Sequence, residues 1–538
     1  MKKTRKDNVF TNVLNSGVDS NTFDLSHSVK QSFRMGELVP VMCKEVLPGD
    51  KFDIDFVNML RFAPLIAPVM HNVKCTTDYF FVPNRILWNL WEDFITGTGD
   101  NPEAPYINFD DSEVCPVGCI GDYLGVPPGD YQAKPLHISA FQVAAYYKIY
   151  DDWYRDQNQI AEQFDPLVPG DNTSNYLSKI GGRCLKRAWE HDYFTSALPT
   201  SQQGTDVEIP LTFQDNIPVD FTPGANAGDG TWQTVDPVTG AVINTAGNIG
   251  VASGPSPLSS GLHNSAGVPI ALDPNGTLTV DVQSDAASIN DLRRAFSLQA
   301  FLERSIRGGL RYIEQMWSHF QVKSSDARLQ RAEFLGRSVQ TMTISEVLAT
   351  AQSNNDAATA EIPVGSMAGH GISVGGGDHI SFRAEEHGFV IGIISVLPET
   401  AYQDGLSREF TRFDRLDYAW PSFANIGEQE IKYKELKCHD LDVSDDPEGT
   451  FGYIPRYSEY RYSPSRVAGE MRTTLKFWHM GRIFETMPGL NSDFIEANPT
   501  KRIFAVTDID EDEIYAHILN KVIVNRKLPR YGIPSVLG

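Results

Sequence analysis

The chain has 538 residues, 41% of them hydrophobic and 21% charged, a balance that excludes disorder as the overall state. Its 46 Lys and Arg against 69 Asp and Glu give a net charge of −23. A protein that coats nucleic acid with its whole surface would be basic, so any such contact here must be local. No apolar run approaches the ~20 residues a membrane helix needs; Phe62–Met70 and Phe389–Leu397 stop at nine. The opening MKKTRKDNVFTNV is basic with no apolar stretch behind it, so a soluble, untargeted chain is expected.

In chain order, Lys51–Arg61 places Phe52, Ile54, Phe56 and Leu60 at the period of a half-buried strand. The turn Pro48-Gly49-Asp50 separates it from the apolar stretch Leu38–Leu47, which predicts a hairpin. Val73, Cys75, Thr77, Tyr79 and Phe81 alternate again. From Ile138 to Tyr154, Phe141, Ala145, Tyr146, Ile149 and Trp153 recur at helical spacing, predicting an amphipathic helix whose aromatic stripe packs in a core.

From Gly204 to Ser288 the composition shifts: these 85 residues hold eleven Gly and eight Pro. Structureless loops of that length are uncommon, so short strands joined by tight turns are expected. Ser288 and Asp291 form a capping signal for a helix running to about Ile306, which Gly308-Gly309 ends. Strands are then predicted at His379–Phe382, Gly388–Val396, Glu430–Lys437 and Met471–Phe484. A last one holds Ile514, Ala516, Ile518, Val522 and Val524, its apolar face interrupted by Asn520. Strands at both ends with helices and an insertion between them predict one β-sandwich with long loops. The expected divisions are 1–203, the insertion 204–288, and 289–538.

Charge is uneven along the chain. From Ala188 to Leu292 there is no Lys or Arg but there are twelve acids, just over half the net charge on 105 residues. Both ends are basic: Lys2, Lys3, Arg5 and Lys6 open the chain, and Arg526, Lys527 and Arg530 follow the last strand without an acid between them. These seven are the candidate nucleic-acid contacts; the competing reading is a solvated tail and a strand edge.

The chemical motifs are weak. Gly371-Ile372-Ser373-Val374-Gly375 matches a nucleophile elbow, which needs a helix behind it, yet Gly376, Gly377 and Asp378 follow. Six cysteines are too sparse for a disulfide framework. Only Cys115 and Cys119 lie close, without a second pair to complete a zinc site. His370, His379 and His387 fit no common ligand spacing, and Asp508–Glu513 lacks the glycine and spacing of a calcium loop. No catalytic residue, metal or cofactor is expected.

Short motifs spread over most of the chain carry a resemblance. They are Asn21–Ser26 (NTFDLS), Ala63–Val69 (APLIAPV), Phe80–Arg85 (FFVPNR), Trp153–Asn158 (WYRDQN) and Tyr193–Pro199 (YFTSALP). After the insertion come Gly308–Tyr312 (GGLRY), Ser318–Phe320 (SHF), Asp326–Arg331 (DARLQR), Glu386–Gly388 (EHG), Phe423–Gln429 (FANIGEQ) and Glu459–Arg466 (EYRYSPSR). In this order they resemble the major capsid protein of microviruses, small single-stranded DNA phages, of the gokushovirus type.

The resemblance implies a mainly β fold, an eight-stranded antiparallel jelly roll with long loop insertions and a few helices. It implies self-assembly into a T=1 icosahedral capsid around circular single-stranded DNA, in a virion put together in the bacterial cytoplasm. It also implies a small basic DNA-binding protein as partner, and an insertion, here 204–288, that protrudes and meets a host receptor. The helical segments Ile138–Gln159 and Asp291–Phe320 are expected at subunit contacts, with Trp153 and Phe296 as anchors. Two other readings are a carbohydrate-binding or carbohydrate-active β-protein and a serine hydrolase built on Ser373.

Overall fold

The structure is a computed structural model that describes residues 20–97, 102–109, 115–202, 233–235, 242–243, 270–271, 289–308, 318, 331–348, 350, 365–506, 508 and 510–530. The chain divides into two compact units, Met1–Gln203 with Glu303–Gly538, and Gly204–Leu302.

The first unit begins with β1 (Asn21–Asp24), β2 (His27–Phe33), β3 (Val39–Val46), β4 (Lys51–Phe62) and β5 (Val73–Pro83). A long connection follows, holding α1 (Asn84–Leu87), α2 (Trp91–Thr96), β6 (Tyr106–Phe109), α3 (Ile120–Leu124), β7 (Leu136–Ser139), α4 (Phe141–Ile149) and α5 (Thr173–Gly181). In the second unit β8 (Gln233–Val235), β9 (Val242–Ile243) and β10 (Ile270–Ala271) make a three-stranded antiparallel sheet. Helix α6 (Ile289–Gly308) spans the sequence boundary between the units.

The sandwich resumes with β11 (Glu333–Thr341), β12 (Thr343–Leu348), β13 (Met367–Gly376), β14 (Ile380–Arg383) and β15 (Gly388–Pro398). A second long connection carries the ribbon of β16 (Glu428–Lys432) and β17 (Thr450–Pro455), and β18 (Ile514–Arg526) closes the fold.

Two antiparallel sheets result. The larger has seven strands in the order β1-β18-β4-β13-β12, with β2 also on β18 and β14 also on β4; the smaller is β11-β5-β15-β3. β2 and β1 pair with successive parts of β18, and β13 and β14 with successive parts of β4, so each pair fills one position. Strands β2 to β5 alternate between the sheets, and so do β13, β15 and β18. That is the connectivity of a jelly roll, which buries two apolar faces against each other.

The alternation read in β4 and β18 turns Phe52, Ile54, Phe56, Leu60, Ile514, Ile518, Val522 and Val524 into the core. Met42, Val46, Tyr79, Phe81 and Val390 face them from the smaller sheet. β5 and β15 are buried on both faces. Their far side is covered by the first long connection, where Phe80 meets Trp153 and Tyr154.

Three expectations are corrected. β3 and β4 do not form a hairpin: β3 pairs with β15 and β4 with β18, in opposite sheets. The turn is real, with Gly49 at φ +90° and Leu47 N–H donating to Asp50 Oδ2 at 2.9 Å. Turn chemistry reverses the chain in either case; which ladder a strand joins is set by distant partners. Helix α4 is buried on almost every side rather than amphipathic, and Tyr146 donates to the Leu38 carbonyl at 2.8 Å. The aromatic stripe does pack in a core: Trp153 donates to the Ala332 carbonyl at 2.9 Å and lies tilted against the Phe334 ring.

Met471–Phe484 is not a strand. It folds as 3₁₀ turns at Gly469–Arg472 and Lys476–Trp478, because its carbonyls are gathered by one side chain instead of a neighbouring ladder. Arg502 donates to the carbonyls of Lys476, His479 and Gly481 at 2.8–3.0 Å. His479 completes the knot: Gly481 N–H donates to Nδ1 at 3.0 Å, and Nε2 faces the Met471 carbonyl at 2.8 Å. This pairing requires the neutral ring, protonated at Nε2.

Asn520, the interruption in β18, is fully buried between the sheets. Tyr79 Oη donates to its Oδ1 at 2.9 Å, and its Nδ2 donates to the Val41 carbonyl at 3.0 Å. A satisfied polar group at that depth ties β18 to β5 and β3 at one register. Tyr79→Phe is expected to cost about 1–3 kcal/mol, because it leaves a buried acceptor unpaired. Asn520→Leu added to Tyr79→Phe should then cost less than it does alone; denaturant unfolding of the two single variants and the double reads this coupling, and additive losses would exclude it.

Burial holds His479 below its ordinary pKa, and Arg502 adds to the effect. A histidine depressed in the folded state binds fewer protons there than when unfolded. Its stabilisation is therefore complete above the unfolded value of about 6.5 and is lost as pH falls toward the folded one. Thermal unfolding across this window should show a decline that His479→Gln flattens, since the amide can donate and accept in the same places. An unchanged slope would remove His479 as its source.

Candidate nucleic-acid interface and assembly surfaces

Many of the sequence motifs meet in space. Arg85 of FFVPNR makes a two-pronged ion pair with Glu386 of EHG, both bonds 3.0 Å. Asp192, immediately before YFTSALP, is a buried hub. Its carboxylate accepts from the Phe194 and Thr195 backbone at 2.8 Å, and from Thr400 and Tyr402 hydroxyls at 2.6 Å. The two long connections are thereby fastened together. Gln429 of FANIGEQ donates to Glu459 of EYRYSPSR at 2.7 Å. Beside them, Glu435 takes Tyr193 Oη and Arg408, and burial raises its pKa above the ordinary carboxylate value.

Of the seven candidate genome contacts, Lys2, Lys3, Arg5 and Lys6 lie outside the described residues. The first and last strands do meet at one edge of the larger sheet. Asn21 stands opposite Arg526 in the β1–β18 ladder and donates to the Leu528 carbonyl at 2.8 Å. Arg526 has an acidic neighbour that its sequence surroundings do not show. It grips the buried Asp50 carboxylate at 2.7 and 2.9 Å, and the Glu45 carbonyl at 3.0 Å. That guanidinium is committed to the β3–β4 turn. Lys527 and Arg530 are exposed.

A surface that the sequence reading missed lies in the second long connection. Phe410, Phe413, Leu416, Tyr418, Trp420 and Ile426 are all exposed, Phe413 at 89%. The loop is firmly held. Asp417 accepts from the Phe413 and Asp414 backbone at 2.8 Å, and Trp420 Nε1 donates to the Arg415 carbonyl at 2.8 Å. Arg412 lies over the Tyr460 ring at 4.4 Å. The run has no helical or strand period, so periodicity has nothing to report there. In α6, Phe296 is exposed.

The weak motifs have structural roles. Ser373 is buried in the middle of β13 and donates to the Thr341 carbonyl at 3.1 Å. No helix follows it, and a side chain at Gly371 would collide with the Phe62 ring. The glycines are there for close packing, not for a nucleophile elbow. His370 contacts Ser345 and His387 packs on Trp91. His379 pairs with Asp55, which raises its pKa. Cys115 and Cys119 place their sulfurs 2.8 Å apart, both buried. Among the described residues no three His, Cys, Asp or Glu side chains cluster as a metal site, and no helix is long and apolar enough to cross a membrane.

Residues 11–536 match the family described as capsid protein (F protein). The chain is 35% identical to capsid protein VP1 of Bdellovibrio phage phiMH2K, over 96% of this chain and 95% of that one. It is 33% identical to capsid protein VP1 of Chlamydia phage 1, over 98% of each. To capsid protein VP1 of Spiroplasma virus 4 it is 27% identical, over 95% of this chain and 94% of that one. With the match running through both sheets and both long connections, the chain belongs to the capsid protein (F protein) family of microvirus-type phages, a structural family of the virion and not an enzyme family.

Proposed function

We propose that the protein is the repeating subunit of a small T=1 shell that encloses circular single-stranded DNA. The observation that carries this reading is the family match over almost the whole chain. Support comes from the exposed loop Phe410–Ile426. Aromatic side chains bury about 150–250 Å² each, so this group offers on the order of what one partner contributes to a stable interface. Aromatics with arginine are also the residues interface centres favour. Their occupant in this reading is a second copy of the chain.

Two finer assignments belong to the same proposal. The segment 204–288, without a single Lys or Arg, is unsuited to packaged DNA and is assigned to the outer face, where it meets a host receptor. Electron microscopy of the full-length protein should show uniform shells. Particles trimmed of 204–288 should keep the shell and lose adsorption to host cells. Dispersed monomers of the full chain under assembly conditions would defeat the capsid reading, and unchanged adsorption by trimmed particles would defeat the receptor role.

The basic ends are assigned to the genome, alongside a small basic DNA-binding protein. Supporting this, Asn21 and Arg526 stand opposite each other on one edge of the larger sheet, and Arg526 anchors that edge through Asp50. Contacts to phosphate ignore sequence and weaken with salt, by a logarithmic slope of about 0.7 per cation for single strands. Neutralising both clusters should leave shells intact and lower DNA retention as salt rises. Retention equal to the parent would exclude the ends as genome contacts.

A further inference from the structure

The face of the larger sheet that points away from the core carries a second set of cations, unrelated to the chain ends. In the β2–β18–β4 register, Ser32 stands opposite Tyr515, which stands opposite Arg61. Two residues along, Lys30 stands opposite His517, which stands opposite Met59. Strand alternation sends all six side chains outward, because Phe33, Leu60, Phe62, Ile514, Ala516 and Ile518 point inward. Together they line a depression of about 460 Å³. Lys30, Arg61, Tyr515 and His517 are exposed.

Charge pairing differs along this face. Toward the far end of β4, Lys51 pairs with Asp53 at 3.0 Å, and His379 pairs with Asp55 at 2.9 Å. Those cations are spent on carboxylates of the same sheet. Around Tyr515 and His517, among the described residues, neither Lys30 nor Arg61 has an ion-pair partner. Asp512, which accepts from Ser32 at 2.7 Å, is already paired with Arg183 and Arg34. Two cations without an ion pair therefore flank a tyrosine and an imidazole there.

We propose that this depression is a contact site for single-stranded DNA, Lys30 and Arg61 taking phosphates while Tyr515 and His517 present rings to a base. The assignment rests on the reading of the protein as a shell around such DNA. The chemistry favours a single strand. The two cations sit two strands apart, roughly 10 Å across the sheet, with the ring platform between them. That combination of a cationic track and stacking surface binds single strands with little regard to sequence. A duplex hides its bases, and an acidic protein surface, which could pair the cations, would have no use for the ring platform as a stacking face.

The test uses the full-length protein and a fluorescent oligothymidine, titrated at several salt concentrations. Lys30→Gln with Arg61→Gln should weaken binding tenfold or more at low salt and make the logarithmic salt slope shallower by about 1.4, at roughly 0.7 per cation. Tyr515→Leu should weaken binding with the slope unchanged, and Tyr515→Phe should restore it. Binding by the double variant with the parental slope and affinity would overturn the site. So would loss of shells with oligonucleotide affinity unchanged, which makes the face a contact between subunits. Failure of the parent itself to bind or package DNA is a different result and defeats the shell reading on which the site rests.

Discussion

The pairing of β18 with β4 is the constraint on which the other features depend. It runs from Ile514 opposite Phe62 to Asn525 opposite Lys51, joining segments more than 450 residues apart. A ladder that closes so long a loop makes no contribution until most of the chain is in place, which makes folding slow. Its register has to be exact to one residue, because a slip of one turns every core side chain to the solvent. The apolar rows fix that register, and Asn520 sharpens it: only one alignment gives Tyr79 and the Val41 carbonyl to the same amide. The same ladder sets out the opposite face, including Tyr515, His517 and Arg61, and β18 also carries β1 at its far end.

The long connections are held by polar groups that are buried and paired. Asp78 on β5 takes Arg337 from β11 in a two-pronged pair at 2.7 and 2.9 Å and the Tyr154 hydroxyl at 2.6 Å. Asp192 plays the equivalent role between the two connections. Breaking such a pair strands a charge and costs about 3–5 kcal/mol, although the intact pair adds little net stability. These contacts therefore choose among packings more than they deepen the chosen one. A shell subunit needs that choice, since each loop must present one surface to every copy of its neighbour. Arg85, Glu386 and Glu459, all within the motifs that carried the family resemblance, are locked to partners in this way.

How much was legible follows from the range of each interaction. β4, β5 and β18 could be read because alternation is local, β15 because its apolar run is unbroken, and α6 because its signals sit within one turn of its ends. The turn at Pro48-Gly49-Asp50 could be read too. Its outcome, a crossing between sheets instead of a hairpin, was hidden because β15 and β18 decide it from far along the chain. Met471–Phe484 looked like a strand by composition, and Arg502 is what makes it a coil. Arg526 looked free because no acid is near it in sequence, while Asp50 lies 476 residues away. Lys30 and Arg61 were unremarked for the converse reason. Each is an ordinary outward residue of an alternating strand, and only the register puts them around one aromatic row.

For an acidic protein proposed to line a nucleic acid, net charge is the wrong quantity to compare. At physiological salt, charges separated by more than about 8 Å are largely screened from one another. What a surface attracts is decided by the few groups within that distance and by whether they are already paired. Just over half of the net charge sits on a stretch of 105 residues with no cation, and none of the larger sheet's strands belongs to it. On the sheet itself Asp53 is paired with Lys51, and Asp55 with His379, whose pKa that contact raises. Two cations without carboxylates then set the sign of the field at the other end. A strongly acidic chain and an anionic cargo are compatible when acids and cations are segregated in this way. Weak local contacts of that kind hold DNA only through repetition, and a closed shell repeats each of them in every subunit.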